Sequence, residues 1–189
     1  MKDVLIIAHF VDELIDKGNS RFNYIINMLI DNNVNIELIT SDFSHEKKRK
    51  KNFKYYENKY KVTLLEEPIY NKNISIKRIL SHKIIGKNLI KYLNSRKKPD
   101  VIYCAVPSLS MAEAAARYAK ENNIKFIIDV QDLWPEAFKM IFNMPIISNI
   151  IYYPMKIKAN RIYKMADNIV AVSEDRKSTR LNSSHPLDL

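Results

Sequence analysis

The sequence predicts an α/β fold: a doubly wound, mostly parallel sheet with helices on both faces. Three observations carry that prediction. Strand-like and helix-like segments alternate along nearly the whole chain, the order expected of βαβ units. The segments at 101–106 and 124–130 are almost continuous apolar runs, as strands covered on both faces are. A length of 189 residues with 47% apolar content suits one ordinary domain with a buried core.

Each element follows from its local pattern. Residues 3–8, DVLIIA, form an apolar run of strand length. In SRFNYIINMLIDNN, Phe22, Ile25, Ile26, Leu29 and Ile30 recur at helical spacing. Ser20 is placed to cap that helix, and Gly18 and Asn19 to shape the turn before it. Residues 34–40, VNIELIT, alternate as a strand, and 60–67, YKVTLLEE, do so more weakly. Residues 75–95, SIKRILSHKIIGKNLIKYLNS, read as a basic amphipathic helix.

DVIYCAV is a strand bounded by Pro99 and Pro107. The helix that follows sets Leu109, Ala112, Ala116 and Ala119 on one side, where small Ala permits close approach to a sheet. IKFIIDV is the next strand. Residues 145–166 read as a helix interrupted near Pro154, because an internal proline removes a hydrogen bond and kinks the axis. Its Tyr152, Tyr153 and Ile157 belong to the core or face lipid. ADNIVAVSE (166–174) holds the last strand. In a Rossmann-like sheet of this kind, ligands sit outside the carboxyl ends of the strands. Segments 8–20, 41–42, 107–108 and 129–135 should therefore surround one cleft.

Composition narrows the function. The formal net charge is +10, concentrated in 45–61 and in a second basic set from Lys72 to Lys98. Such patches attract nucleic acid, anionic lipid or sugar phosphates, unless they reflect only a Lys-rich composition. Cys104, the single cysteine, lies inside an apolar run and points to a buried thiol in a reducing compartment. Four His and one Cys, scattered without ligand spacing, exclude a metal cluster. The N-terminus turns acidic too soon for a signal peptide, and no uncharged run approaches a membrane span. A cytoplasmic protein, soluble or associated with a surface, is expected.

The stretch DVQDLWPEAF (129–138) raises the question of chemistry. Asp129 and Asp132 fall at the carboxyl end of a central strand, where a carboxylate can bond a sugar hydroxyl or accept a proton. Trp134 offers a face for a sugar ring or a wall for the next helix. Pro135 sets the first turn of that helix, so Asp132 also fits a capping position. KGNSRF (17–22) can present backbone N–H groups to an anion, but one Gly does not make a dinucleotide fingerprint, and no P-loop is present. His9 after the first strand reads as a packed or solvated residue, and His45 and His82, in Lys-rich segments, as exposed ones. No Ser/His/Asp or Cys/His relay is legible.

Taken in order, GNSRF, LITSDFSHEKKRK, DVQDLWPEAF and ADNIVAVSE resemble the N-terminal half of family 4 glycosyltransferases. The bacterial branch that builds O-antigen and capsule, with its fucosamine transferase-like enzymes, is the most similar. The resemblance covers about residues 2–174 and implies the acceptor-side Rossmann-like domain (1–174) of a retaining GT-B enzyme. The family's C-terminal donor domain, with an E-x7-E motif for the nucleotide-sugar, is expected to be absent from these residues. No metal or cofactor is implied.

The family's His-Asp pair is matched by Gln131-Asp132, so only Asp132 is carried over as a catalytic residue. Gly18, Asn19, Ser20, Ser108, Gln131 and Trp134 are expected at the acceptor or interdomain cleft. Acceptors of this branch are sugars on a polyprenyl diphosphate at the inner membrane face. Lys47, Lys48, Arg49, Lys50 and Lys51, followed by Phe53, Tyr55 and Tyr56, would then rest on anionic headgroups, giving a peripheral location on the inner face of the plasma membrane. The helix at 75–95 would add apolar insertion. The alternative is a non-enzymatic module that binds nucleic acid through KKNFKYYENKYK, where aromatics interleave with Lys. The last fifteen residues, DRKSTRLNSSHPLDL (175–189), show neither periodicity and read as a non-native, unstructured tail.

Overall fold

The computed structural model describes residues 1–11, 21–51, 60–73, 75–132 and 145–171. Its strands are β1 (Asp3–Ile7), β2 (Asn35–Ser41), β3 (Phe43–Ser44), β4 (Arg49–Lys50), β5 (Lys61–Leu65), β6 (Val101–Val106), β7 (Lys125–Val130) and β8 (Asn168–Ala171). Its helices are α1 (Arg21–Asp31), α2 (Ile76–Ser95), α3 (Leu109–Asn122) and α4 (Pro145–Lys164). Six strands make one parallel sheet in the order β5-β2-β1-β6-β7-β8, with β3 and β4 paired as a small antiparallel ribbon. The chain runs outward from β1 to β2 and β5, then returns to β6 on the other side of β1. That reversal is the topological switch point of a Rossmann-like fold.

Side-chain alternation divides the core between the two faces. Leu5 and Ile7 of β1 join Cys104, Ile128 and the buried faces of α2, α3 and α4. Val4 and Ile6 point the other way, toward Ile36, Leu38 and the α1 residues Phe22 and Ile26. A strand that is apolar at nearly every position serves both layers at once, which is why β1, β6 and β7 carry almost continuous apolar runs. The predicted Ala side of α3 is buried against this core, at Ala112, Ala116 and Ala119. Ser75 caps α2 by accepting from the Arg78 N–H, and α3 ends on Asn123 in the left-handed region. Gly86 lets α2 meet α3 closely: a Cβ there would lie 3.0 Å from the Ser110 carbonyl oxygen.

Two expectations are corrected. Helix α4 runs unbroken with Pro154 inside it. Buried Ala159, Ile162 and Tyr163 anchor its second half, and their packing outweighs the roughly 3 kcal/mol cost of an internal proline. Tyr153 and Ile157 are exposed, 67% and 45%, so they are not core residues. Among the described residues, no helix is long and apolar enough to cross a membrane. The β3–β4 ribbon was not foreseen, because two-residue strands leave no periodicity.

Candidate functional site

A buried polar network occupies the carboxyl edge of the sheet, on the β1, β2 and β5 side of the switch point. Ala8 continues β1 by donating to the Ile39 carbonyl, which sets His9 just past the strand. His9 is 3% exposed, and its two ring nitrogens have different partners. Nε2 lies 2.7 Å from Glu67 Oε2, and Nδ1 lies 2.8 Å from Ser108 Oγ. Glu67 follows β5 and is fully buried. Its carboxylate also accepts from the hydroxyls of Ser41 and Ser81, and its backbone N–H donates to Asp42 Oδ1. Burial alone would raise the Glu67 pKa, but hydrogen bonds from His9, Ser41 and Ser81 and the field of His9 bring it down to about 2.

Ser108 stands at the N-cap of α3 and forgoes the capping bond there. Its hydroxyl turns to His9 instead, although a capping side chain is worth about 1 kcal/mol to a helix. Ser108, His9 and Glu67 therefore have the connectivity of a nucleophile, a base and an orienting carboxylate. Ser108 is only 1% exposed, so a substrate has no approach to its oxygen. In this state the relay is a positioning device that ties the ends of three strands together.

Around the network sit His82, His45, Phe10 and Tyr70. The His9 ring stacks on Phe10 at 4.3 Å and meets His82 edge-on at 4.8 Å. His45 Nδ1 lies 2.6 Å from the Tyr70 hydroxyl. Both His45 and His82 are partly buried, which corrects their expected exposure. Burial, followed by the field of Lys48, pushes His45 down to about 4. Burial, followed by the field of His9, pushes His82 down to about 3. His9, Glu67 and His82 present one ligand atom each within 4.8 Å of one another, a set able by type to hold a divalent metal. The scatter of His along the sequence does not keep these residues apart in space. Both nitrogens of His9 and both oxygens of Glu67 are engaged in hydrogen bonds, however, and Arg78 adds positive charge nearby.

A second group lies past β6 and β7. Asp129 is fully buried and accepts two bonds from Arg21 at the start of α1, Nε at 2.8 Å and Nη2 at 3.0 Å. Gln131 Nε2 donates to the same carboxylate at 3.3 Å, and Tyr103 stands beside it, its pKa raised by burial and by Asp129. Asp129 is thus a structural ion pair. Asp132 is exposed at this edge.

Ser108, Gln131 and Asp132 are therefore all at the carboxyl edge, as expected. Gly18, Asn19, Ser20, Trp134, Phe53, Tyr55, Tyr56 and the 175–189 segment lie outside the described residues. The five basic residues are not equivalent. Lys47, Arg49 and Lys50 are exposed, with Lys50 paired to Asp42 at 2.6 Å. Lys48 and Lys51 are partly buried. Sequence reasoning missed Glu67, although LLEEP repeats the pattern of IIDVQD, an apolar strand that ends on acid. An open groove at the opposite edge, lined by Lys120, Lys125, Lys164 and Asp167, lies at the amino ends of β7 and β8, away from this chemistry.

No family model and no curated protein matches the chain. Solved structures do. The crystal structure of Arabidopsis thaliana UGT89C1 complexed with quercetin is similar at TM-score 0.55 and 10% identity, over 96% of this chain and 46% of that one. The same protein complexed with UDP gives TM-score 0.50 at 10% identity, over 91% and 42%. UGT89C1 is a GT-B glycosyltransferase, and the chain spans 42% and 46% of it in these two structures. The architecture is that of a Rossmann-like half of a GT-B fold.

Proposed function

We propose that this chain is the acceptor-side half of a retaining family 4 glycosyltransferase of the bacterial O-antigen and capsule branch. The complete enzyme would move a sugar from a nucleotide-sugar to a lipid-linked saccharide in cell-surface polysaccharide synthesis. The observation that carries this reading is a GT-B-type half sheet whose carboxyl edge gathers Ser108, His9, Glu67, Gln131 and Asp132 around the switch point. The motifs quoted above supply the finer placement in the bacterial branch.

On this reading the donor half belongs to the remainder of a longer protein, and residues 1–174 alone transfer no sugar. The acceptor lies across the carboxyl edge against Gln131 and Trp134, above the buried Ser108, with Gly18, Asn19 and Ser20 at the interdomain cleft. Asp132, exposed there, orients the acceptor hydroxyl and takes its proton as the donor phosphate leaves from the same face. The chemistry calls on neither metal nor cofactor. The exposed cations Lys47 and Arg49 are worth about 1 kcal/mol each at an anionic leaflet, with Lys48, Lys51 and the Asp42-paired Lys50 adding to transient docking.

Titration calorimetry of the chain with a farnesyl-diphosphate-linked monosaccharide, and separately with nucleotide-sugars, tests the assignment. Saturable binding of the lipid-linked sugar and none of the nucleotide-sugar is expected. The reverse pattern would make this the donor half. Co-sedimentation with anionic vesicles should fall when Lys47–Lys51 are changed to Gln, and equal sedimentation would remove the membrane role.

A further inference from the structure

The mouth of the buried network is rich in hydrogen-bond donors and poor in acceptors. Lys48, at the turn of the β3–β4 ribbon, and Arg78, in the first turn of α2, both approach the ring of Tyr70, at 5.0 and 5.9 Å from its centroid. Among the described residues neither has a carboxylate within ion-pair distance. Their polar partners are neutral: Asn73 Oδ1 and His45 for Lys48, and the Asn73 carbonyl for Arg78. Glu67, whose field reaches this group, already has its oxygens occupied by His9, Ser41 and Ser81. Lys48 Nζ, a donor only, lies 3.5 Å from His45 Nδ1, so that nitrogen is the acceptor for the Tyr70 hydroxyl as well, and His45 Nε2–H is left as a further donor. Among the described residues, the buried His82 Nε2 has no hydrogen-bond partner.

Three features of this arrangement oppose stability. Lys48 adopts a left-handed backbone, φ 54°, that a lysine takes at a cost. Arg78 and Lys77 place positive charge at the positive end of the helix α2 dipole, where acidic residues are favoured and none is present. Burial and the proximity of Arg78 both work against the charge on Lys48. Local rules broken together at one spot mark a functional site.

We propose that Lys48, Arg78, His45 and His82 form a binding site for a phosphate or diphosphate group at the carboxyl edge of the sheet. Arg supplies a planar fork for two phosphate oxygens, Lys a point charge, and the imidazoles fixed N–H donors. Assignment of this group to a sugar acceptor rests on the function proposed above. Anion binding itself does not, so the two can fail separately.

The test titrates the full chain with inorganic pyrophosphate, followed by the ring-proton NMR signals of His45 and His82, with acetate as the carboxylate control. Saturable pyrophosphate shifts are expected, at least about tenfold weaker in Lys48→Gln and in Arg78→Gln. Arg78→Lys should retain part of the affinity, and Lys98→Gln all of it. Phosphatidylglycerol vesicles separate the sources. Vesicle binding unchanged in Lys48→Gln and Arg78→Gln points to a soluble or acceptor-borne phosphate, whereas vesicle binding lost with them points to a lipid headgroup. Either an absence of pyrophosphate and vesicle binding, equal affinity in the folded variants, or acetate binding as tight as pyrophosphate would overturn the site.

Discussion

His9 and Glu67 are joined by a 2.7 Å bond between Nε2 and Oε2 that ties the end of β1 to the segment after β5. Both residues are buried, and the pair is what makes a carboxylate tolerable at the centre of this edge. Its energetics can be read by pH. The folded-state pKa of Glu67, about 2, lies below its ordinary value, so the contribution is complete above about pH 4.5 and is lost as pH falls through 2. Glu67→Gln should cost about 3 kcal/mol near neutrality, and the gap to the parent chain should close with acidification. Urea titrations at pH 7, 4 and 2.5 measure this. A gap that stays constant with pH would contradict the assignment of charge to Glu67.

Arg21 and Asp129 form the second tie, between α1 and β7. Removing Arg21 leaves a fully buried carboxylate without its cation. Arg21→Met should therefore destabilise by about 3–5 kcal/mol, more than Arg21→Met combined with Asp129→Asn. Arg21→Lys should recover only part, since an ammonium cannot make the two parallel bonds. Denaturation midpoints of the four proteins decide the order.

His45 and His82 should stay neutral well below the pH at which exposed imidazoles titrate. Unfolded chains take up these protons near pH 6.5 while the folded chain does not, so both residues lower stability as pH drops from 6.5 toward 4 and 3. Proton NMR should find both rings in neutral form at pH 5.5. A midpoint near 6.5 for either ring would mean it is solvated.

Gly86 carries a packing prediction. Gly86→Ala forces a Cβ to 3.0 Å from the Ser110 carbonyl oxygen, and the backbone cannot step aside as a side-chain tip would. A loss of about 1–3 kcal/mol is expected by thermal unfolding, in spite of alanine's better helix propensity. A gain in stability would show that α2 and α3 can separate at no cost.

Most of the fold is legible in the sequence because its signals are local. Apolar runs of strand length and the Ala side of α3 each act within a few residues. Pro154 misled for the opposite reason: the packing of Ala159, Ile162 and Tyr163 that carries the helix past it is long-range. The site divides in the same way. Ser108, Gln131 and Asp132 could be placed at an edge from strand ends alone. His9, Glu67, His45 and His82 are separated by up to 73 positions, and the parallel pairing of β1, β2 and β5, the β3–β4 ribbon and the packing of α2 on β5 bring them together. A histidine amid lysines reads as solvated until its neighbours from other strands are known.

The decisive measurement is an amide and side-chain NMR map of the labelled chain saturated with a farnesyl-diphosphate-linked monosaccharide. Ligand shifts should concentrate at Gln131, Asp132 and the rings of His45 and His82, along the carboxyl edge. Shifts confined to Lys120, Lys125, Lys164 and Asp167 at the opposite edge, or an unperturbed spectrum, would contradict an acceptor site there.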